Sequence, residues 1–191
     1  MDYIFGKYSF IIVYIDDILV HSPDLETHLK HLEIFFEEAK KHGLVLSEKK
    51  MVLFQENIDF LGIHIKDGKI NMQPHVLSKL SDFPDQLTDT KMIQRFIGIL
   101  NYVSRYIPNL SEKTAPIRAC QNYVCSFEAT QAVKQLKEEC KHLPALKPPG
   151  NGFMILQTDA SDNFWAAVLI ERISVGTEQE EVLCGYASGE F

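Results

Sequence analysis

Apolar positions along this chain switch between two spacings, and the switches mark its elements. Phe10-Ile11-Ile12-Val13-Tyr14 is a short run rich in β-branched residues, and Ile18-Leu19-Val20 is another. Ile15-Asp16-Asp17 lies between them, which predicts a hairpin with two acids at its tip. Next, Leu25, Leu29, Leu32, Phe36 and Ala39 recur at spacings of 4, 3, 4 and 3. That is one face of an amphipathic helix, with Asp24 as its cap and Gly43 as its stop. Leu44–Leu46 and Met51–Phe54 read as two further strands. Ile58–Ile65 and Lys69–Met72 flank Asp67-Gly68, a strong hairpin signal.

From Pro74 the spacing turns helical. Met92, Ile93, Phe96, Ile97, Leu100 and Val103 follow one helix face, ended by Pro108. Shorter helices are expected at Glu112–Cys120 and Phe127–Cys140, the second capped by Ser126. Leu146-Lys147-Pro148-Pro149-Gly150-Asn151-Gly152 reads as a linker. Beyond it, Phe153–Thr158, Phe164–Ile170 and Val182–Tyr186 read as strands, with Glu178-Gln179-Glu180-Glu181 as a polar connection. No repeat or low-complexity tract appears. The fold class is α/β (α+β), with four expected segments: 1–73, 74–145, a linker at 146–152, and 153–191.

Composition narrows the classes. Apolar residues make up 46% of the 191, enough for a real core. No apolar run approaches the roughly 20 residues that span a bilayer, so no membrane partner is expected. The start, Met1-Asp2-Tyr3, lacks the basic opening of a signal peptide. Cys120, Cys125, Cys140 and Cys184 form no CxxC pair and suit reduced thiols. The net charge is −7, but it is unevenly spread. Residues 1–39 hold 2 basic and 8 acidic side chains, residues 40–118 hold 12 and 8, and residues 119–191 hold 5 and 10. A basic middle between acidic ends suits a strand-holding region between metal-binding ones, against chance variation of a soluble surface.

Adjacent aspartates at a hairpin tip repel one another unless a cation compensates. Nucleotidyl transfer uses such a tip to hold divalent ions about 3.5–4 Å apart, and hard oxygen ligands suit Mg²⁺. The bland alternative is a solvated acidic turn. His28-x-x-His31 lies on the first long helix with no cysteine pair nearby, and reads as an exposed face rather than a metal site.

Tyr14-Ile15-Asp16-Asp17-Ile18-Leu19-Val20 resembles the YxDD motif of reverse transcriptases. His42-Gly43-Leu44-Val45-Leu46-Ser47-Glu48-Lys49-Lys50 resembles the segment carrying their palm lysine. Phe60-Leu61-Gly62-Ile63-His64-Ile65 resembles the primer grip. Gln94-Arg95-Phe96-Ile97-Gly98-Ile99-Leu100-Asn101-Tyr102 resembles the thumb of gypsy-type and plant pararetroviral enzymes. Thr158-Asp159-Ala160-Ser161-Asp162 resembles the end of the first RNase H strand. Trp165 and Tyr186-Ala187-Ser188-Gly189 lean toward the caulimovirus-like plant pararetroviruses. The motifs occur in family order across nearly the whole chain.

The resemblance implies roles. Asp16 matches the principal metal ligand of the motif, Asp17 the supporting one, and Tyr14 the tyrosine beneath the primer end. Lys50, or else Lys49, matches the lysine that assists the leaving pyrophosphate. Phe60, Leu61 and Gly62 match the primer grip, where a glycine lets backbone approach a phosphate. A β-bulge glycine is the alternative. Arg95 and Arg105 would lie roughly 15 Å apart on one straight helix and about 80° apart around it. They either face phosphate together or stand in solvent. Asp159 matches the first metal-binding carboxylate of RNase H. Asp162 and Glu190 match no catalytic acid.

The implied cofactor is Mg²⁺, two ions in each complete site. The implied partners are an RNA–DNA or DNA primer–template, deoxynucleoside triphosphates and the rest of a polyprotein. The fingers and an earlier palm aspartate are expected before Met1, and further RNase H acids after Phe191. The chain thus reads as C-terminal palm (1–73), thumb and connection (74–145) and the start of RNase H (153–191), inactive by itself. The rival is a decayed or domesticated fragment that binds nucleic acid or a partner without catalysis. Cytoplasm or a virus-like particle is the expected location, or the nucleus for an integrated copy.

Overall fold

The computed structural model describes residues 1–120, 126–175 and 178–191. Cys125 lies outside the described residues. Two compact units, Met1–Glu56 and Asn57–Phe191, each have a core of their own.

The first unit starts with a single helical turn, α1 (Asp2–Phe5), and the hairpin of β1 (Ile11–Tyr14) and β2 (Asp17–Val20). The pairs Ile11↔Val20 and Val13↔Ile18 share one face, and all four residues join the core around Phe5, Phe35 and Ala39. Helix α2 (Leu25–Lys41) covers that face. Its start is set where expected: the Asp24 side chain accepts the Thr27 N–H at 2.8 Å. Gly43, at φ +67°, follows the helix end, a conformation that glycine adopts without strain.

Two expected strands are absent. Residues 44–46 are irregular, and Met51–Phe54 contains no strand either. A strand needs a hydrogen-bonding partner; Leu44 and Leu46 instead pack against the α2 core, while Val52, Leu53 and Phe54 are exposed. Between them Glu48–Lys50 forms a 3-10 turn.

The second unit opens with a three-stranded antiparallel meander, β3 (Ile58–Phe60), β4 (Ile63–Lys66) and β5 (Lys69–Met72). The apolar run 58–65, expected as one strand, is broken by a turn at Leu61-Gly62. The turn at Asp67-Gly68 forms as expected, both residues at positive φ. Helices α3 (Pro74–Ser81), α4 (Thr90–Tyr102), α5 (Leu110–Arg118) and α6 (Phe127–Cys140) follow. Their apolar faces meet around Leu80, Phe96, Leu100, Ile117, Val133 and Leu136, each no more than 1% exposed. The Ser126 hydroxyl accepts the Ala129 N–H at 3.2 Å, capping α6 as expected.

Helix α4 stops at Tyr102, and Ser104–Tyr106 is a 3-10 turn. Arg95 and Arg105 therefore do not share one straight helix, as the sequence suggested. Asp89, unnoticed in the sequence, caps α4 by accepting the Met92 N–H at 2.8 Å.

The last sheet is β6 (Phe153–Ala160), β7 (Phe164–Val175) and β8 (Glu178–Glu190), an antiparallel meander. Here the polar stretch Glu178–Glu181 is strand, not connection. It pairs with Arg172–Val175, and its own four residues are all exposed, so nothing in its hydrophobicity announced it. The segment 146–152 is tied down on both sides. Leu146 is 3% exposed and exchanges backbone hydrogen bonds with Ile70, and the Lys147 N–H reaches the Leu183 carbonyl at 2.9 Å. Among the described residues, no helix is long and apolar enough to cross a membrane.

Candidate active site

The β1–β2 hairpin turns through two residues, Ile15 and Asp16. Alternation along a strand sends successive side chains to opposite faces. With Ile11, Val13, Ile18 and Val20 committed to the core, the paired residues Tyr14 and Asp17 stand together on the other face. Asp16 occupies the turn itself. All three are exposed. Ile15 takes φ +56° although it is β-branched, and is 73% exposed. Such a residue pays a steric penalty there without burying its side chain.

The far end of the hairpin is anchored by histidines. Ser22 Oγ lies 3.0 Å from His28 Nδ1 and 2.8 Å from His31 Nδ1. His31 Nδ1 also lies 3.1 Å from the His21 carbonyl, and its ring stacks on Phe10 at 3.7 Å between centroids. Both helix histidines are half-buried, so the exposed face expected of His28-x-x-His31 is in fact a clamp on the chain leaving β2. The sequence showed the spacing but not the serine that makes it meaningful. Lys49 and Lys50 lie in the exposed 3-10 turn.

Adjacent carboxylates on an exposed tip offer the hard oxygens that a magnesium ion takes. They fit part of such a shell. Among the described residues no group of three His, Cys, Asp or Glu side chains converges as a metal centre.

In the second unit, Phe60 pairs with Ile63 across the turn formed by Leu61 (φ +48°) and Gly62 (φ +74°). Gly62 is therefore a turn glycine rather than a bulge. The Gln73 N–H donates to the Gly62 carbonyl at 3.1 Å, and the Tyr102 hydroxyl donates to the Leu61 carbonyl. Nearby, His64 Nδ1 lies 2.6 Å from Asp59 Oδ1, and that hydrogen bond holds the Asp59 carboxyl below the usual range. Arg95 is exposed on α4; Arg105 is exposed and its backbone lies against Gly185 of β8.

Asp159 sits near the end of β6 opposite Ala166, exposed, with Oδ1 accepting the Ala160 N–H at 2.9 Å. It borders a cleft of about 250 Å³ that Glu112, Ser161, Trp165 and Ser188 also line. Glu112, on α5, drew no attention in the sequence, because only the tertiary fold brings it to this cleft.

Residues 1–65 match the family model described as reverse transcriptase (RNA-dependent DNA polymerase). The chain is 40% identical over 191 residues to the genome polyprotein of Petunia vein clearing virus (isolate Shepherd), covering 94% of this chain and 8% of the polyprotein. It is 39% identical over 189 residues to the enzymatic polyprotein of Cauliflower mosaic virus (strain D/H), covering 96% of this chain and 28% of the polyprotein. The chain thus spans less than a third of the length of these relatives. The foamy viral protease-reverse transcriptase solved in complex with dsDNA superposes with a TM-score of 0.77 at 23% identity, over 100% of this chain and 40% of that one. The same viral protein solved with an RNA/DNA hybrid gives 0.76 at 22% identity. At those identities the likeness establishes the fold.

Proposed function

We propose, from the match of residues 1–65 to the reverse transcriptase family model and the likeness to plant pararetroviral polyproteins along nearly the whole chain, that the chain forms the C-terminal palm, thumb and first RNase H strands of an RNA-directed DNA polymerase. One observation carries this reading. Asp16 and Asp17 stand exposed at the tip of the β1–β2 hairpin within the residues that match the family model.

Asp16 and Asp17 contribute carboxylates to a magnesium site completed by acids elsewhere in the enzyme. Mg²⁺ bound there supplies activation of the primer hydroxyl and charge neutralisation at the leaving pyrophosphate. Tyr14, on the same face as Asp17, lies beneath the primer end and fixes its height over the carboxylates. Lys50, or Lys49 beside it, donates a proton toward the pyrophosphate as negative charge develops. Phe60, Leu61 and Gly62 hold the primer backbone, because a tight turn exposes N–H groups to phosphate oxygens. Arg95 and Arg105 add sequence-independent phosphate contacts. Asp159 is the first carboxylate of an RNase H site acting on the RNA strand of a hybrid. Deoxynucleoside triphosphates and an RNA–DNA or DNA primer–template are the substrates of the complete enzyme.

The experiment uses the purified chain with Mg²⁺ and a labelled RNA–DNA hybrid. Weak binding that falls as salt rises is expected, without primer extension or RNA cleavage, since two adjacent acids are too few for a two-ion site. Extension that vanishes in Asp16→Asn would show that the tip suffices alone. No binding even at low salt would overturn the nucleic-acid reading.

A further inference from the structure

Tyr102 ends α4, a helix fixed to the core by Phe96 and Leu100, both 0% exposed. Its hydroxyl reaches out of that helix to the Leu61 carbonyl in the β3–β4 turn. A Cβ added at Gly62 would run into the same hydroxyl, so the glycine and the tyrosine fit one another. Gln73 secures the turn from the other side, its N–H on the Gly62 carbonyl at 3.1 Å and its side-chain amide on the Ile63 carbonyl at 3.3 Å. Leu61, a non-glycine residue at φ +48°, is thereby held in a conformation that few residues adopt. Backbone in such a state persists where its surroundings over-determine it, and such places cluster at functional sites.

We propose that Tyr102 is a positioning residue for nucleic-acid binding, acting through the Leu61-Gly62 turn. This rests on the reading of that turn as the primer grip. A two-residue hairpin turn leaves its central N–H groups outside the ladder, as donors for a phosphate. Its carbonyls are a liability beside the same phosphate, because like partial charges repel. The Tyr102 hydroxyl occupies the Leu61 carbonyl and fixes the turn to the helical core, so the turn meets a phosphate with donors already set. The Tyr102 ring itself need touch no nucleotide.

The test compares the full chain with Tyr102→Phe, Gly62→Ala and the double variant, measuring hybrid affinity by fluorescence anisotropy across a salt series, with thermal melting alongside. Tyr102→Phe removes the hydroxyl's hydrogen bond to the Leu61 carbonyl, so affinity falls about threefold to tenfold. Melting falls by no more than a few degrees, as for one hydrogen bond, and the slope of log affinity against log salt is unchanged, because no cation is lost. A general loss of structure would move melting much further, and a lost phosphate cation would move the slope. Gly62→Ala weakens binding as well, and the two changes combine non-additively because methyl and hydroxyl contend for one place. Equal affinity of Tyr102→Phe and the unaltered chain overturns the proposal, as does strict additivity in the cycle. Failure of the unaltered chain to bind at low salt overturns the primer-grip reading too, and that control separates the two failures.

Discussion

The ammonium of Lys147 lies 2.9 Å from Oε2 of Glu171, a carboxylate only 1% exposed. The other Glu171 oxygen accepts the Gly152 N–H at 2.6 Å, and a Cβ at Gly150 or Gly152 would intrude on the same carboxylate. Strand β7 thus grips the segment 147–152 through one buried acid.

Acid should release that grip. The Lys147 ion pair, and after it the Gly152 N–H, hold the Glu171 carboxyl below the usual glutamate range. A depressed folded value means that the stability it supplies is complete above the ordinary glutamate value of about 4.3. That stability is lost as pH falls through the folded value. Glu171→Gln should flatten the acid limb of a urea-midpoint profile. At neutral pH, Glu171→Ala should lower the midpoint more than Arg172→Ala, whose partner Glu181 is half exposed. Equal losses would count against the grip.

Ile15→Gly should stabilise the first unit. Its left-handed conformation costs a β-branched residue about 1–2 kcal/mol, and the exposed side chain returns little burial. Glycine's extra chain entropy offsets about 0.5–1 kcal/mol of that. A net gain of about 0 to 1.5 kcal/mol in urea denaturation is expected from the difference. A loss would mean that the Ile15 side chain has a packing role.

The clamp at Ser22 fixes two tautomers. The His21 carbonyl can only accept, so the neutral His31 ring carries its proton on Nδ1. The Ser22 hydroxyl then gives its single proton to His28 Nδ1, which leaves His28 protonated on Nε2. Nitrogen NMR at mildly alkaline pH should show opposite tautomers for the two rings. In Ser22→Ala the His28 preference should relax while His31 keeps its own. Identical tautomers in the unaltered chain would refute this arrangement.

Thiol chemistry should be graded. Burial pushes the Cys140 thiol up to about 12, and burial raises Cys184 as well. Neither should react with a thiol reagent at neutral pH until the second unit opens, whereas half-buried Cys120 should react first of the three. Mass spectrometry of alkylated peptides decides the order.

The sequence disclosed what depends on neighbours a few residues away. Helix α2 was legible because Leu25, Leu29, Leu32 and Phe36 repeat with its turn and Asp24 caps it. The Asp67-Gly68 hairpin carries its own turn chemistry. The Tyr14–Val20 stretch showed its hairpin for the same reason. What stayed hidden depends on pairing across the fold. Residues 44–46 and 51–54 look like strands but find no partner, while Glu178–Glu181 looks like a loop and pairs with Arg172–Val175. The strand-like run of Ile58, Phe60, Ile63 and Ile65 concealed the turn at Leu61-Gly62. The meeting of Ser22 with two histidines, and the cleft that Glu112 and Asp159 share, have no local signature at all.

The two separate cores have a thermodynamic consequence. One centres on Phe5, Phe35 and Ala39, the other on Phe96, Leu100 and Val133. Cooperative melting follows the extent of a shared core, so heat should be absorbed in two events rather than one. A single unfolding free energy is then not a property of this chain. Ile15→Gly should move only the event belonging to Met1–Glu56, and Glu171→Gln only the other, which makes each substitution an internal reference for its neighbour in a calorimetric scan.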